Sequence, residues 1–267
     1  MGKTFGTILA VIALVSTGIF VSHHWWFPEV ASSHGEAMNH QFTETFVGAG
    51  IGFVLAQLGL AAFVWQFGEK QGQGRKVRTF PGGARGLIIL AFIYVGCEII
   101  LLEVVGQKVW AAMYFTTPAA DTQKIEVLAG QFAFYFRYPG ADEKFGPIHS
   151  DKIDEGLGNF FGVDTSDPAS KDDIVTAELA VPVNQPVELL LESKDMDHGF
   201  YVREMRIQQD MVPGMQIPLH FTPTKIGKYD IACNQLCGLG HYNMRAFLDV
   251  MSEEDYQKWL VQQASQQ

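Results

Sequence analysis

The pattern of apolar and polar positions divides the chain into two unlike parts. Three long apolar runs lie at roughly residues 5–21, 46–67 and 86–105. The second is about long enough to cross ~30 Å of hydrocarbon as a helix. The first follows Lys3 and is long for the apolar part of a cleaved signal, and the later stretch Val30-Ala31-Ser32 makes a poor cleavage site. It reads as a retained helix. From residue 111 the pattern changes to short runs rich in Val, Ile, Leu, Phe and Tyr, at 124–129, 131–138, 176–181, 186–192, 200–205, 216–222, 228–233 and 246–251. Turn residues such as Pro139-Gly140, Pro213-Gly214 and Gly227 bound most of them. Short strands at this spacing predict a sandwich or barrel. Residues 140–174, rich in Gly, Asp and Pro, read as a long excursion between strands. Ser252 followed by Glu253, Glu254 and Asp255 caps a short terminal helix reaching Trp259.

The expected architecture is a membrane-anchored all-β protein. Residues 1–42 supply an extra transmembrane helix or signal-anchor and an external loop, 43–110 a transmembrane helical hairpin, and 111–267 the β domain. Charge sets the orientation. Residues 69–85 carry Lys70, Arg75, Lys76, Arg78 and Arg85 against Glu69 alone, and short basic loops stay in the cytoplasm. The β domain then lies on the periplasmic side of a bacterial inner membrane, with the helices in contact with lipid. Glu98 and Glu103 fall within the third run, where a carboxylate is costly. Glu103 is read as interfacial and Glu98 as hydrogen-bonded to a partner helix. Gln57 in the second run suggests a helix facing protein as well as lipid. His23, His24, His34 and His40 precede the second run and read as a solvated loop, although His-rich tracts can bind metal.

Composition narrows the function. The net charge is −10, and from residue 111 onward 23 Asp and Glu face 12 Lys and Arg. That excludes nucleic acid as a partner and suits a basic protein. Three cysteines are too few for a disulfide framework. Cys97, inside an apolar run, reads as a small buried hydrophobe.

The chemistry is concentrated in Cys233-Asn-Gln-Leu-Cys237-Gly-Leu-Gly-His241-Tyr-Asn-Met244, with His198 upstream in Asp195-Met-Asp-His198-Gly-Phe200. Two thiols, imidazoles and a thioether are soft ligands that suit copper better than magnesium, calcium or manganese. A Cys233–Cys237 disulfide leaves the His and Met spacing unused. A zinc site has no use for the Met, and a mononuclear blue copper site has none for the second Cys. A dinuclear copper site uses all of them. In it the two thiolates bridge both metals, His198 and His241 bind terminally, Met244 is a weak axial ligand, and a carbonyl near Gln235 serves the second copper. No position is left open for substrate, so the site carries electrons and no residue is assigned a catalytic role.

These residues resemble subunit II of the haem-copper oxidases, the CuA subunit, over roughly residues 43–260. The family pattern C-x3-C-x3-H-x2-M falls on Cys233, Cys237, His241 and Met244. The remaining histidine falls on His198 within D-x-x-H-G, which includes Asp195. Asp210-Met-Val-Pro213-Gly214 matches D-x-x-P-G. The resemblance implies a cupredoxin fold and a binuclear copper centre. It implies as partners a haem-bearing subunit I, further oxidase subunits, and cytochrome c or a similar donor, with dioxygen reduced in subunit I. Asp195 and Asp210 take docking or support roles. Three departures stand out. Gln235 replaces a glutamate that binds Mg or Mn in many members, so no such site is expected. The aromatic stretch Q-W-x-W-x-[YF]-x-Y reads Gln131-Phe132-Ala-Phe134-Tyr-Phe136-Arg-Tyr138, which puts Phe132, Phe134 and Tyr138 at the electron-accepting positions or, on the bland reading, in the core. No C-x-x-C-H is present, so no covalent haem c is expected and the donor is separate. The competing functions are the CuA subunit of a nitric oxide reductase in the same superfamily and a copper-binding or copper-delivery protein.

Overall fold

The computed structural model describes residues 2–22, 27–68, 84–119 and 122–266. The basic loop, apart from Arg85, and His23 and His24 lie outside the described residues. The chain forms two compact units, one of Met1–Phe27 with Ala37–Val109, the other of Pro28–Glu36 with Trp110–Gln267.

The first unit is helical. α1 spans Gly2–Val21, α2 Gly35–Phe67 and α3 Arg85–Leu101; a π turn at Leu102–Gly106 joins α3 to α4, Gln107–Tyr114. Among the described residues, three stretches are long and apolar enough to cross a membrane: Gly2–Val21, Gly35–Phe67 and Arg85–Tyr114. Their large apolar side chains point outward, as lipid requires. Small residues set the helix contacts. A Cβ on Gly6 of α1 would stand 2.7 Å from the Ala61 carbonyl oxygen of α2. Gly48 of α2 receives α3: Tyr94 Oη donates to its carbonyl at 2.8 Å, and a Cβ there would lie 2.2 Å from Glu98 Oε1. Glu98 thus faces the neighbouring helix, the side expected for a carboxylate kept away from lipid. Cys97 is exposed, not buried as expected, because an apolar residue on a membrane helix is free to face outward. His40 lies inside α2 and not in a loop.

The second unit is two five-stranded sheets. One runs β3-β2-β1-β5-β8 and the other β4-β10-β9-β6-β7. The strands are β1 Gln123–Gly130, β2 Ala133–Tyr138, β3 Ile174–Thr176, β4 Leu179–Pro182, β5 Val187–Ser193, β6 His198–Val202, β7 Ile207–Met211, β8 Ile217–Phe221, β9 Gly227–Ala232 and β10 Arg245–Met251. Alternation supplies the core, since every second side chain of a strand faces the same way. Val187, Leu189 and Leu191 of β5 are buried in this way, and so are Ile125 and Val127 of β1 and Leu248 and Val250 of β10. Pairing is mixed: β1 runs parallel to β5 and β10 parallel to β4, while the remaining pairs are antiparallel.

The strands depart from the sequence reading in two places. The single run expected at 176–181 is two strands, β3 pairing with β2 and β4 with β10, in different sheets. β7 was not anticipated, because its Gln208, Gln209 and Asp210, exposed or half-buried on an edge strand, break the apolar pattern.

Two further segments complete the unit. Pro28–Glu36 does not hang free as a solvated loop. Ala31 N–H donates to the Glu204 carbonyl at 2.9 Å, Thr224 N–H to the Ala31 carbonyl at 2.8 Å, and Ser32 Oγ to the Met205 carbonyl at 2.7 Å. His34 is half-buried there, and that burial lowers its pKa. The excursion after β2 is anchored by Arg137, whose guanidinium binds Glu126, Asp173 and the Gly146 carbonyl. At the C-terminus Ser252 caps α5, Glu253–Ala264, by accepting the Asp255 N–H. Tyr256 and Trp259 bury the helix against the unit, and Trp259 meets the ring of Tyr138 edge-on at 5.2 Å.

Candidate metal centre

Two adjacent inner strands of the second sheet, β9 and β6, deliver the donors to one end. β6 begins at His198, and β9 ends at Ala232, immediately before Cys233. The strands pair at Tyr201 and Ala232, which fixes His198 beside the loop that follows β9. That loop runs from residue 233 to 244 and returns as β10. Cys233 N–H donates to the Met244 carbonyl at 3.1 Å and closes it. A short 3-10 turn at His241–Asn243 aims His241 back toward the cysteines.

The donors converge. Cys233 and Cys237 are free thiols with sulfurs 3.7 Å apart. His198 Nδ1 lies 3.9 Å from Cys233 Sγ, and His241 Nδ1 lies 3.6 Å from Cys237 Sγ. Met244 Sδ is 3.7 Å from Cys237 Sγ, and the Gln235 carbonyl oxygen is 3.1 Å from Cys233 Sγ. Ligand atoms of His198, Cys233 and Cys237 all fall within 4.8 Å of one another. Both imidazoles turn Nδ1 inward. This set of three sulfurs, two ring nitrogens and one carbonyl fits soft copper ions and gives a hard cation little to bind. Burial, and then Cys233 beside it, push the free Cys237 thiol up to about 11. Metal binding here must therefore displace protons.

The surroundings hold these donors still. His198 is fully buried, and its Nε2 lies 2.8 Å from Asp195 Oδ1. A carboxylate on the far nitrogen of a metal-binding histidine fixes the ring and its tautomer. Burial raises the Asp195 pKa, but hydrogen bonds from the Gln131 N–H, His198 and the Met196 N–H outweigh it and hold the carboxyl below its usual value. Asp210, on β7 opposite Gly199, lies 3.3 Å from the Gln235 side-chain nitrogen. Gly199 leaves room for Asn234: a Cβ there would stand 2.0 Å from Asn234 Oδ1.

The three aromatics separate. Phe134 and Tyr138 are core side chains, and Tyr138 exchanges hydrogen bonds with the Ala180 main chain. Their inward alternation along β2 is the reason, so neither offers a surface to a donor. Phe132 is 40 % exposed and lies over the 233–244 loop, where a Cβ on Gly240 would fall 2.4 Å from its ring. The sequence reading gave no role to Gln131. Its Nε2 donates to the Cys237 carbonyl at 2.8 Å. Its place at the head of the aromatic stretch was the one available signal.

Comparison with known proteins agrees with this geometry. The family model for the periplasmic domain of cytochrome C oxidase subunit II matches residues 164–251. The alternative cytochrome c oxidase subunit 2 of Bradyrhizobium diazoefficiens is 34 % identical over 258 residues, covering 96 % of this chain and 90 % of that protein. The cytochrome c oxidase subunit 2 of Cereibacter sphaeroides is 26 % identical, over 74 % of this chain and 67 % of its own. Among solved structures, the periplasmic domain of oxidase subunit II from Bradyrhizobium japonicum aligns with a TM-score of 0.42 at 23 % identity, over 57 % of this chain and 99 % of that one. Near full-length likeness, apolar helices ahead of a two-sheet domain and a soft-donor cluster at the end of β6 and β9 agree: the chain belongs to the cytochrome c oxidase subunit II family.

Proposed function

We propose that this chain is the electron-accepting subunit of a haem-copper terminal oxidase, carrying a dinuclear copper centre on Cys233, Cys237, His198, His241, Met244 and the Gln235 carbonyl. It would sit in a bacterial inner membrane with the β unit in the periplasm. One observation carries the reading: six donors of the types such a centre needs converge from β6 and the 233–244 loop. When bound, the copper pair supplies one-electron storage shared between two metals. The chain's residues do the rest. The rigid strands and the Asp195–His198 contact hold the ligands in one geometry, which keeps the rearrangement on gaining or losing an electron small. With the six donors holding the copper pair, no position would be left for substrate on the metals. Oxygen chemistry then belongs to a partner subunit bearing haem.

The surface over the loop supports an external donor. Phe132, Leu236, Leu239 and Tyr242 are exposed around the ligands, and Leu239 is 96 % exposed. Asp195 and Asp197 lie exposed on the nearby segment before His198. An apolar patch with acidic neighbours suits a basic carrier such as a cytochrome c.

Copper analysis and EPR of the purified full chain test this. The expected result is two coppers per chain sharing one unpaired electron, with that signal lost or converted in Cys237→Ser. A single copper, a Cys233–Cys237 disulfide, or an unchanged dinuclear signal in Cys237→Ser refutes the assignment.

A further inference from the structure

The turn between β1 and β2 reaches both halves of the ligand set through one residue. The Gln131 side chain donates from Nε2 to the carbonyl oxygen of Cys237 at 2.8 Å and lies 3.0 Å from Met196 Sδ. Its main-chain N–H donates to Asp195 Oδ2 at 2.8 Å. The other oxygen of that carboxylate, Oδ1, is the one 2.8 Å from His198 Nε2. Gln131 therefore holds Cys237 directly and His198 through a single carboxylate, although the three segments are far apart in sequence.

The metal loop is shaped to receive this turn. Gly238, next to Cys237, has φ +120°, and a Cβ on it would stand 2.9 Å from Gln131 Nε2. Gly240, next to His241, carries the ring of Phe132 where its own Cβ would be, at 2.4 Å. A side chain at Gly238 would displace the Gln131 amide, and one at Gly240 the Phe132 ring. Gln131 is itself exposed, so it is not placed there to fill the core. The contact to Cys237 needs an N–H donor on a side chain of this length. A glutamate would present only acceptors to a carbonyl oxygen.

We propose that Gln131 is a positioning residue for the metal centre. It fixes the Cys237 and His198 ligands relative to one another, and so sets the reduction potential and how evenly the unpaired electron is shared between the two coppers. The proposal rests on the dinuclear reading above. Ligand orientation imposed from outside the coordination sphere tunes a metal centre in this way.

The test uses the full chain, purified in detergent and loaded with copper. Wild type, Gln131→Met, Asp195→Asn and the double variant are compared by copper content, EPR hyperfine pattern and reduction potential. Gln131→Met is expected to keep two coppers per chain, with an altered hyperfine pattern and a shifted potential. The double variant's shift should differ from the sum of the single shifts, because both arms meet in one residue. If Gln131→Met loses copper, Gln131→Lys, which restores an N–H donor on a flexible stem, should recover it; loss in both overturns the proposal. Two coppers with a wild-type spectrum and potential in Gln131→Met overturn it as well, as do strictly additive shifts. A wild-type chain with one copper would instead overturn the dinuclear reading, and the positioning role with it.

Discussion

Replacing Arg137 by methionine measures how the long excursion after β2 is held to the domain. The Arg137 side chain is 1 % exposed and that of Asp173 is fully buried. Nη1 donates to Glu126 Oε2 at 2.9 Å, Nε to Asp173 Oδ2 at 3.2 Å, and Nη2 to both Asp173 and the Gly146 carbonyl. Methionine fills much of the volume but removes the Arg137 donors from Glu126, Asp173 and the Gly146 carbonyl, leaving Asp173 Oδ2 with the Gly146 N–H at 3.1 Å. Breaking a buried ion pair from one side costs about 3–5 kcal/mol. At roughly 2–4 °C per kcal/mol for a domain of this size, that lowers the melting temperature by about 6–20 °C.

The sign with pH is also fixed. Burial already raises the pKa of Glu126 and of Asp173, with Arg137 pulling both down. Without Arg137 the two values rise further. A carboxyl whose folded pKa lies above its unfolded value loses stability as pH rises through that interval. The variant should therefore lose less at pH 5 than at pH 7.5. Calorimetry and near-UV circular dichroism of the copper-free full chain at both pH values provide the assay. A fall under about 3 °C at pH 7.5, or an equal fall at both, would refute the reasoning.

Two other outcomes are expected. Met244→Leu should keep two coppers per chain and shift the reduction potential, since a thioether 3.7 Å from Cys237 Sγ is one weak donor among six; metal analysis with a redox titration checks this, and complete loss of copper would contradict it. His34 titrates against burial, so its folded pKa lies below the unfolded 6.5. Below about pH 6.5 the unfolded chain binds the extra proton first, and stability falls as pH drops until the folded value is passed. Going from pH 7.5 to 5.5, the melting temperature of His34→Gln should rise relative to that of the wild type.

The candidate donors were legible because their chemistry is local. Cys233, Cys237, His241 and Met244 fall within one loop, and their spacing alone excludes most other uses. The apolar runs were legible because a membrane helix must be continuous. The alternating strands β1, β5 and β10 showed for the same kind of reason, since one face of each is core. β7 was hidden because an edge strand with three consecutive polar residues, Gln208, Gln209 and Asp210, has no apolar period to read. Phe134 and Tyr138 were ambiguous because an aromatic on a strand looks alike whether it faces the core or a partner. The Pro28–Glu36 segment looked like a loop because main-chain pairing, through Ala31 with Glu204 and Thr224, does not depend on side-chain pattern.

What the amino-acid order determined by itself is therefore the anchor, the β class of the remainder and the soft-donor cluster, each resting on residues close together in the chain. What only the tertiary structure decided is how distant segments meet: His198 beside Cys233 through the pairing of β6 with β9, and Gln131 bridging Asp195 and Cys237. Such contacts arise from the packing of whole strands and turns, and a glutamine carries no mark in the sequence of the carbonyl it will bind.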